Sequence, residues 1–505
     1  MPFVQKIRAA ALAAVVVFTT AHAQTAPNMK MTTPIPPSIT TADSLQTRFG
    51  DLKFRDGFPD DATVQKVYDN LDYVRGVEAF LNTMTGASAE ALRLGFASQG
   101  ADNNQTVLIM ENLMDSKSRF LTPNTESIYN LMWVDTKDGP VVIETPPDVL
   151  GAIDDHWFHY VADFGRAGPD RGKGGKFLLL PPGYTGEVPE GYIVLRSGTY
   201  GNLVFWRGFL DGSGTRTAVE NTKQFTKVYR LADAANPPKM KFINVSGKAF
   251  NTIYPNDFHL YEEVNNIVQY EPNEAYSAEI LGQLAAIGIE KGKPFAPDQR
   301  MKKILTEAAA VGNATARTIA FKSRQEGTYY YPNSAWFTCF VGGNYQFLSQ
   351  PGVRDLDARI HFIYYAIGIT PAMALKKVGL GSQYAAATTD SQGKPLDGSK
   401  TYKVHLPPHV PAKDFWSFVA YDNQTRSLLQ TDQQFPSISS QKKDIVINAD
   451  TSVDIWFGPT APKGHEANWV QTVPDKGWNV ILRLYGPLES WFDKTWKPGE
   501  FELIG

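Results

Sequence analysis

Val64, Val67, Tyr68, Leu71, Val74, Val77 and Leu81 recur at three- and four-residue intervals, the spacing that lines one face of a helix. They predict a helix over residues 60–85, with Gly86 as its stop signal and a second short helix over 87–95. From about residue 127 the pattern changes to short apolar runs. Strands are expected at 128–134, 140–144, 158–163, 176–180, 192–196 and 202–207. Turn signals such as Lys137-Asp138-Gly139 and Pro181-Pro182-Gly183-Tyr184 separate them. Helical spacing returns between about 215 and 375, best at 273–289, 298–323 and 356–367. The second of these carries Met301, Ile304, Leu305, Ala308, Val311 and Ile319 on one side, and the third ends before Thr370-Pro371. Beyond residue 380, strands are expected at 401–406, 415–421, 452–457 and 479–485. Trp416, Trp456, Trp469, Trp478, Trp491 and Trp496 also lie there and predict a separate aromatic core.

Short strands at regular intervals, flanked by helical stretches, predict an α+β chain. Its two antiparallel β-rich, jelly-roll-like domains are joined by a helical middle region and preceded by a helical N-terminal segment. The expected layout is an extended leader at 24–59, a helix plus β-sandwich at 60–214, a mixed helical connection at 215–379 and a second β-sandwich at 380–505. Residues 24–43 are polar and rich in Pro and Thr, the composition of a flexible leader or extended arm.

The N-terminus reads as a Sec-type signal peptide over residues 1–23. Lys6 and Arg8 precede an apolar stretch at 9–18, and Ala21-His22-Ala23 offers an A-x-A cleavage site. An apolar stretch that short cannot span roughly 30 Å of hydrocarbon. A soluble protein of the periplasm, or a secreted one, is expected, with no membrane span after cleavage. The 505 residues are 43% hydrophobic and 20% charged, which excludes a disordered, collagen-like or coiled-coil chain. A net charge of −3 lacks the concentrated basic footprint of a nucleic-acid binder. The single cysteine, Cys339, permits no internal disulfide and lies in an apolar segment, as a small buried hydrophobe would.

No G-x-S-x-G elbow, H-E-x-x-H or C-x-x-C motif is present, and the glycine-rich stretch 168–175 fails the phosphate-loop spacing. The most unusual segment runs from Arg119 to Tyr129 and crowds Asn124, Thr125, Glu126 and Tyr129 around Pro123 at a strand entrance. Rigid strand ends suit recognition. Against this, Asn124 and Thr125 can simply cap a turn while Tyr129 sits in the core. Asp163 and Arg166 can form an ion pair, or Arg166 can bind a carboxylate or sulfate in a cleft. Tyr421-Asp422 and Arg426 end a strand in a polar loop. Glu126 and Asp422 are the candidate catalytic acid/base couple. Asn124, Tyr129, Trp133, Arg166, Tyr421 and Arg426 are the candidate substrate-binding residues. The close histidine pairs, His156/His159 and His405/His409, lack metal-site spacing, so no metal and no cofactor are expected.

Two blocks of sequence carry a resemblance. The first is Leu121-Thr122-Pro123-Asn124-Thr125-Glu126-Ser127-Ile128-Tyr129, continuing through Trp133-Val134-Asp135 and Gly139-Pro140-Val141-Val142. The second runs from Leu396-Asp397-Gly398 through Leu406-Pro407-Pro408, Phe415-Trp416-Ser417 and Tyr421-Asp422 to Arg483-Leu484-Tyr485-Gly486-Pro487. The chain resembles the bacterial envelope family that joins domain of unknown function 1254 to domain of unknown function 1214. The resemblance implies an exported homo-oligomer with β-rich halves and helical insertions. It supplies no activity and no catalytic residues. The function expected is a periplasmic hydrolase or lyase acting on a small molecule or glycan where the two β domains meet. The alternative is a non-catalytic ligand-binding or assembly protein of the envelope.

Overall fold

The computed structural model describes residues 29–504, so the signal peptide expected over 1–23 lies outside the described residues. The chain forms two compact units that divide between Val67 and Tyr68. In the first, Ser44–Thr47, Gly50–Arg55 and Phe58–Pro59 make a three-stranded antiparallel sheet within the expected leader. The described residues contain no helix long and apolar enough to cross a membrane.

The first helix corrects the expected stop at Gly86. It is continuous from Asp61 to Ser98, and the two expected helices are one. Gly86 is there for a different reason. A Cβ at this position would stand 2.4 Å from the Trp157 ring and 3.0 Å from Ile267 Cδ1. The glycine lets a large ring lie against the helix backbone. The apolar stripe is also only half buried. Val64, Val67, Tyr68 and Val74 are exposed, while Ala79, Phe80, Met84 and Leu92 enter the core.

The expected helices at 298–323 and 356–367 appear as Gln299–Phe321 and Leu356–Tyr365. Each begins at an aspartate whose carboxylate accepts a backbone N–H, Asp298 from Met301 and Asp355 from Ala358. The helix expected at 273–289 shrinks to Ala278–Ala286, capped by Ser277. His259–Tyr270 forms a further helix, with Leu260, Tyr261, Val264, Ile267 and Val268 buried.

All six expected strands of the first β half are present. They belong to a mixed α/β architecture that adds Thr106–Ile109 and Val149–Asp155. A six-stranded sheet runs in the order Lys241–Asn244, Thr106–Ile109, Ser127–Asp135, Gly201–Phe209, Val149–Asp155, Tyr160–Gly165. A four-stranded sheet runs Ile193–Arg196, Lys176–Leu180, Val141–Glu144, Lys227–Arg230. Two of these strands lie beyond residue 214, so the first β half extends past it. Most pairs are antiparallel, but Ile193–Arg196 pairs with Lys176–Leu180 in parallel, and Lys241–Asn244 does so with Thr106–Ile109. Met132, Val134, Val204 and Trp206 pack against Val141, Ile143, Phe177 and Leu179 between the two sheets.

The second β half has the same two-layer plan. One sheet runs Ser382–Ala387, Trp478–Pro487, Ala412–Asp422, Ser437–Ser439. The other runs Trp469–Gln471, Val453–Gly458, Thr401–Leu406, Glu502–Ile504. The expected aromatic core lies within this half, where Trp416, Trp478, Trp491 and Trp496 pack with Phe418, Phe457 and Phe501. Because side chains alternate along a strand, each large sheet has a second face. Tyr129, Leu131 and Leu203 of one, and Tyr384, Tyr421 and Ile481 of the other, join a shared core with the helices.

Gly86→Ala tests the close approach. Alanine favours a helix interior by about 1 kcal/mol over glycine. The clash with Trp157 is expected to reverse that sign and destabilise the protein by about 1–3 kcal/mol in urea unfolding. A stabilised variant would show that the ring does not press on this helix.

Candidate functional site

The second faces of the two large sheets each present an arginine opposite a tyrosine. Arg207 is the register partner of Tyr129 on the adjacent strand. Arg483 is the register partner of Tyr384. These four residues line one buried cavity with Phe120, Thr122, Phe205, Phe340, Met373 and Ile481. The cavity has about 620 Å³ of empty space, and water centres can occupy about 60 Å³ of it. That is room for a few waters or a small ligand body.

The two guanidinium groups are treated differently. Arg483 Nη2 donates to the Thr122 carbonyl at 2.6 Å and to the Tyr421 hydroxyl at 2.8 Å, while its Nε has no partner. Arg207 is 8% exposed and makes no hydrogen bond or ion pair among the described residues. The Tyr384 hydroxyl is likewise buried without a partner. Burial of an uncompensated charge is unfavourable, and guanidinium does not shed its proton. The wall is therefore electropositive. The carboxyl near Arg483 is that of Glu126. Burial pushes it above the ordinary carboxylic range, against the hydrogen bond from Thr125 Oγ1 (2.6 Å) and the Arg483 charge.

Thr122 sits at the centre of this arrangement. Its N–H donates to the Arg426 carbonyl at 2.9 Å, its hydroxyl to the Tyr365 carbonyl at 2.7 Å, and its carbonyl accepts from Arg483. Its φ is 37°, in the left-handed region that β-branched residues avoid. Next to it, the Pro123 carbonyl accepts from the Tyr421 hydroxyl at 2.7 Å.

Of the residues expected in a site, Tyr129 lines the cavity, and Asn124, Glu126 and Tyr421 stand behind its wall. Asn124 Oδ1 accepts from Glu126 N and Ser127 Oγ, and its N–H donates to Tyr129 Oη, so it caps the turn and holds the tyrosine that lines the cavity. Arg426 is fully buried. It donates to the Tyr364 and Gln424 carbonyls and lies over the Tyr364 ring, which makes it a structural anchor. Asp422 anchors its own turn through Gln424 N and Thr425 N and pairs with Lys476. Burial opposes ionisation of Asp422, but the Lys476 contact holds its pKa low. Glu126 and Asp422 share no hydrogen-bond partner. Arg166 corrects the expected ion pair: it bonds Asp148 at 2.8 Å and lies over Phe209, while Asp163 is buried and pushed up to about 6. Cys339 lines the cavity, and burial raises its thiol to about 12. Arg207 and Arg483 were missed, although each is a lone charge within an apolar strand.

Residues 104–230 match the family described as protein of unknown function (DUF1254), and residues 381–489 match protein of unknown function (DUF1214). The chain carries both domains. Arg207 and Tyr129 belong to the DUF1254 region, and Arg483 and Tyr384 to the DUF1214 region. No curated protein matches the chain. Among solved structures, the VPA0106 protein from Vibrio parahaemolyticus is 17% identical, with a TM-score of 0.53 over 86% of this chain and 100% of that one. A protein from Burkholderia cenocepacia is 12% identical, with a TM-score of 0.40 over 87% and 96%. The first likeness bears on the fold alone.

The DUF1254 region also borders a polar cleft, and Trp133 lies there, away from the cavity. His156 joins two buried carboxylates at its inner end. Its Nδ1 is 2.8 Å from Glu271 and its Nε2 is 3.2 Å from Glu90. Arg93 holds Glu90 in two-pronged fashion at 2.6 and 2.7 Å. Burial alone would raise the Glu90 pKa, but Arg93 and His156 pull it down to about 2. Burial alone would lower that of His156, but Glu271 and Glu90 raise it.

Two experiments follow from this geometry. Without ligand, Arg207→Met removes an unpartnered charge and is expected to stabilise the protein by about 1–4 kcal/mol in low-salt urea unfolding. Arg483→Met strips donors from Thr122 and Tyr421 and is expected to destabilise it by about 2–4 kcal/mol. Equal losses would mean that Arg207 has a counter-ion. The second experiment is a pH series. A histidine whose pKa rises on folding stabilises fully below its unfolded value of 6.5 and loses that contribution as pH rises through the folded value. The urea midpoint of the protein is expected to fall above neutral pH, and His156→Gln to flatten that fall. An unchanged slope would detach His156 from the effect.

Proposed function

We propose that the protein works outside the cytoplasm, in the periplasm or secreted, as a ligand-binding protein of the cell envelope. Its two jelly-roll-like halves enclose one small molecule with an anionic head and an apolar body. The observation that carries this reading is the convergence of Arg207 and Arg483, from two different sheets, on one apolar cavity. A carboxylate there would satisfy the free Arg207 guanidinium and the Tyr384 hydroxyl together, beside the charge of Arg483. Phe120, Phe205, Phe340 and Ile481 would take the apolar body. Part of the cost of burying Arg207 would then be recovered on binding. A second copy of the chain would cover the exposed apolar face at Val64, Val67, Tyr68 and Val74, giving the homo-oligomer.

A hydrolase or lyase in the same cavity is the second reading. The raised, buried carboxyl of Glu126 favours it, as the environment of a general acid. Against it, Glu126 is not in the cavity lining and the Cys339 thiol is held protonated.

Calorimetric titration with sodium octanoate and sodium benzoate tests the proposal. Saturable binding is expected for at least one, weakened tenfold or more by Arg207→Gln. Absence of binding, or equal affinity in the variant, overturns it. Turnover of octanoate esters that is lost in Glu126→Gln, with octanoate affinity kept, would replace it by the enzyme reading.

A further inference from the structure

The polar cleft of the DUF1254 region is separate from the central cavity and has a different chemistry. It lies between the helices Asp61–Ser98 and His259–Tyr270, with Trp133 and His156 on its inner wall and the loop 101–104 at its edge. It has about 1120 Å³ of empty space. Trp133 is 6% exposed and lines the cleft, and its indole N–H makes no hydrogen bond among the described residues. An indole N–H usually finds a hydrogen-bond acceptor, here one supplied from within the cleft.

The other polar groups define what would satisfy it. Arg93 uses Nε and Nη2 on Glu90 and leaves Nη1 open. Asn266 gives its amide N–H to Glu90 at 3.2 Å and leaves its carbonyl oxygen open. Asp102 is exposed at the rim. The Tyr270 hydroxyl is fixed on Asp135 at 2.5 Å, which turns the ring toward the cleft. Donors and acceptors thus alternate around two aromatic side chains.

Charge decides between ligand classes. Glu90, Glu271, Asp102 and Asp135 at least balance Arg93, His156 and Lys137, whose ammonium lies 3.9 Å over the Tyr270 ring, so the cleft offers an anion no surplus of positive charge. Arg93 and His156 at the inner end oppose a cation. An apolar ligand would leave the open polar groups of Arg93, Asn266 and Trp133 without partners. A molecule whose groups each donate and accept, with apolar C–H faces between them, meets all these constraints.

We propose that this cleft binds a neutral polyhydroxylated ligand of the saccharide class. Hydroxyl groups would accept from Trp133 and Arg93 and donate to Asn266 and Asp102, with a C–H face against the Trp133 ring. The buried set of Glu90, His156, Glu271 and Arg93 holds the inner wall rigid and serves as a positioning network. This site does not depend on the carboxylate reading of the central cavity.

The test is calorimetric titration of the purified protein with glucose, N-acetylglucosamine and maltose. Saturable binding is expected for at least one. Trp133→Phe keeps the ring packing and removes the N–H, and Asp102→Ala removes an exposed carboxylate with no role in the core. Each is expected to weaken saccharide binding about five- to tenfold, the effect of one hydrogen bond. The urea unfolding midpoint of each variant reports its folding independently of either ligand. No binding by any of the three sugars overturns the proposal, as does binding that neither variant alters.

Discussion

Every polar group of Thr122 is committed to a different segment of the chain. Its N–H reaches the loop at Arg426, its hydroxyl reaches the end of the helix Leu356–Tyr365, and its carbonyl takes Arg483 from the second β half. These bonds hold the residue at φ 37°, a conformation that costs on the order of 1–3 kcal/mol for a non-glycine residue and persists only where surroundings over-determine it. The rest of the centre follows. With Thr122 fixed, Pro123 meets Tyr421, and Asn124 presents its N–H to Tyr129. The cavity wall is therefore built from loops pinned to the strands of both halves.

That pinning explains how two guanidinium groups can sit in an apolar interior. Arg483 is a tie between halves, since its donors complete the hydrogen bonding of Thr122 and Tyr421. Arg207 ties nothing. A buried charge that holds no structure is a burden on stability and a resource for binding. Strand alternation makes the arrangement possible: the neighbours of Arg207, Trp206 and Gly208, point to the opposite face, and Trp206 fills the sandwich core. One face of the sheet thus fills the sandwich core and the other lines the cavity.

Local pattern was enough for much of this. The strand at 176–180 and the helix begun by Asp298 were legible because period, cap and turn residues agree there. The crowding around Pro123 was legible as unusual, though not which of its side chains reach a cavity. Gly86 misled because a stop signal and a packing notch look alike in sequence, and only the Trp157 ring distinguishes them. Arg166 misled because its partner, Asp148, comes from a neighbouring strand end instead of its own loop. The partners of His156 lie 66 and 115 residues away, beyond any spacing rule. Arg207 and Arg483 did leave a trace: a single charge inside a strand that is otherwise apolar is costly unless the fold uses it.

The strand Ser127–Asp135 connects the two sites. Tyr129, Leu131 and Trp133 share one face of it by the two-residue period. Tyr129 lines the cavity and Trp133 the cleft, roughly 13 Å apart at the rise of an extended strand. Leu131 lies between them, completely buried. The charges on either side of that apolar barrier are arranged in opposite ways. In the cavity the two guanidinium groups outnumber the one nearby carboxyl, that of Glu126. In the cleft, Glu90 and Glu271 already neutralise Arg93 and His156, so its inner wall needs no ion and its open hydrogen-bonding groups are left for neutral partners. One strand thus lines two pockets of opposite electrostatic character, and the buried Leu131 between them keeps the two charge arrangements apart.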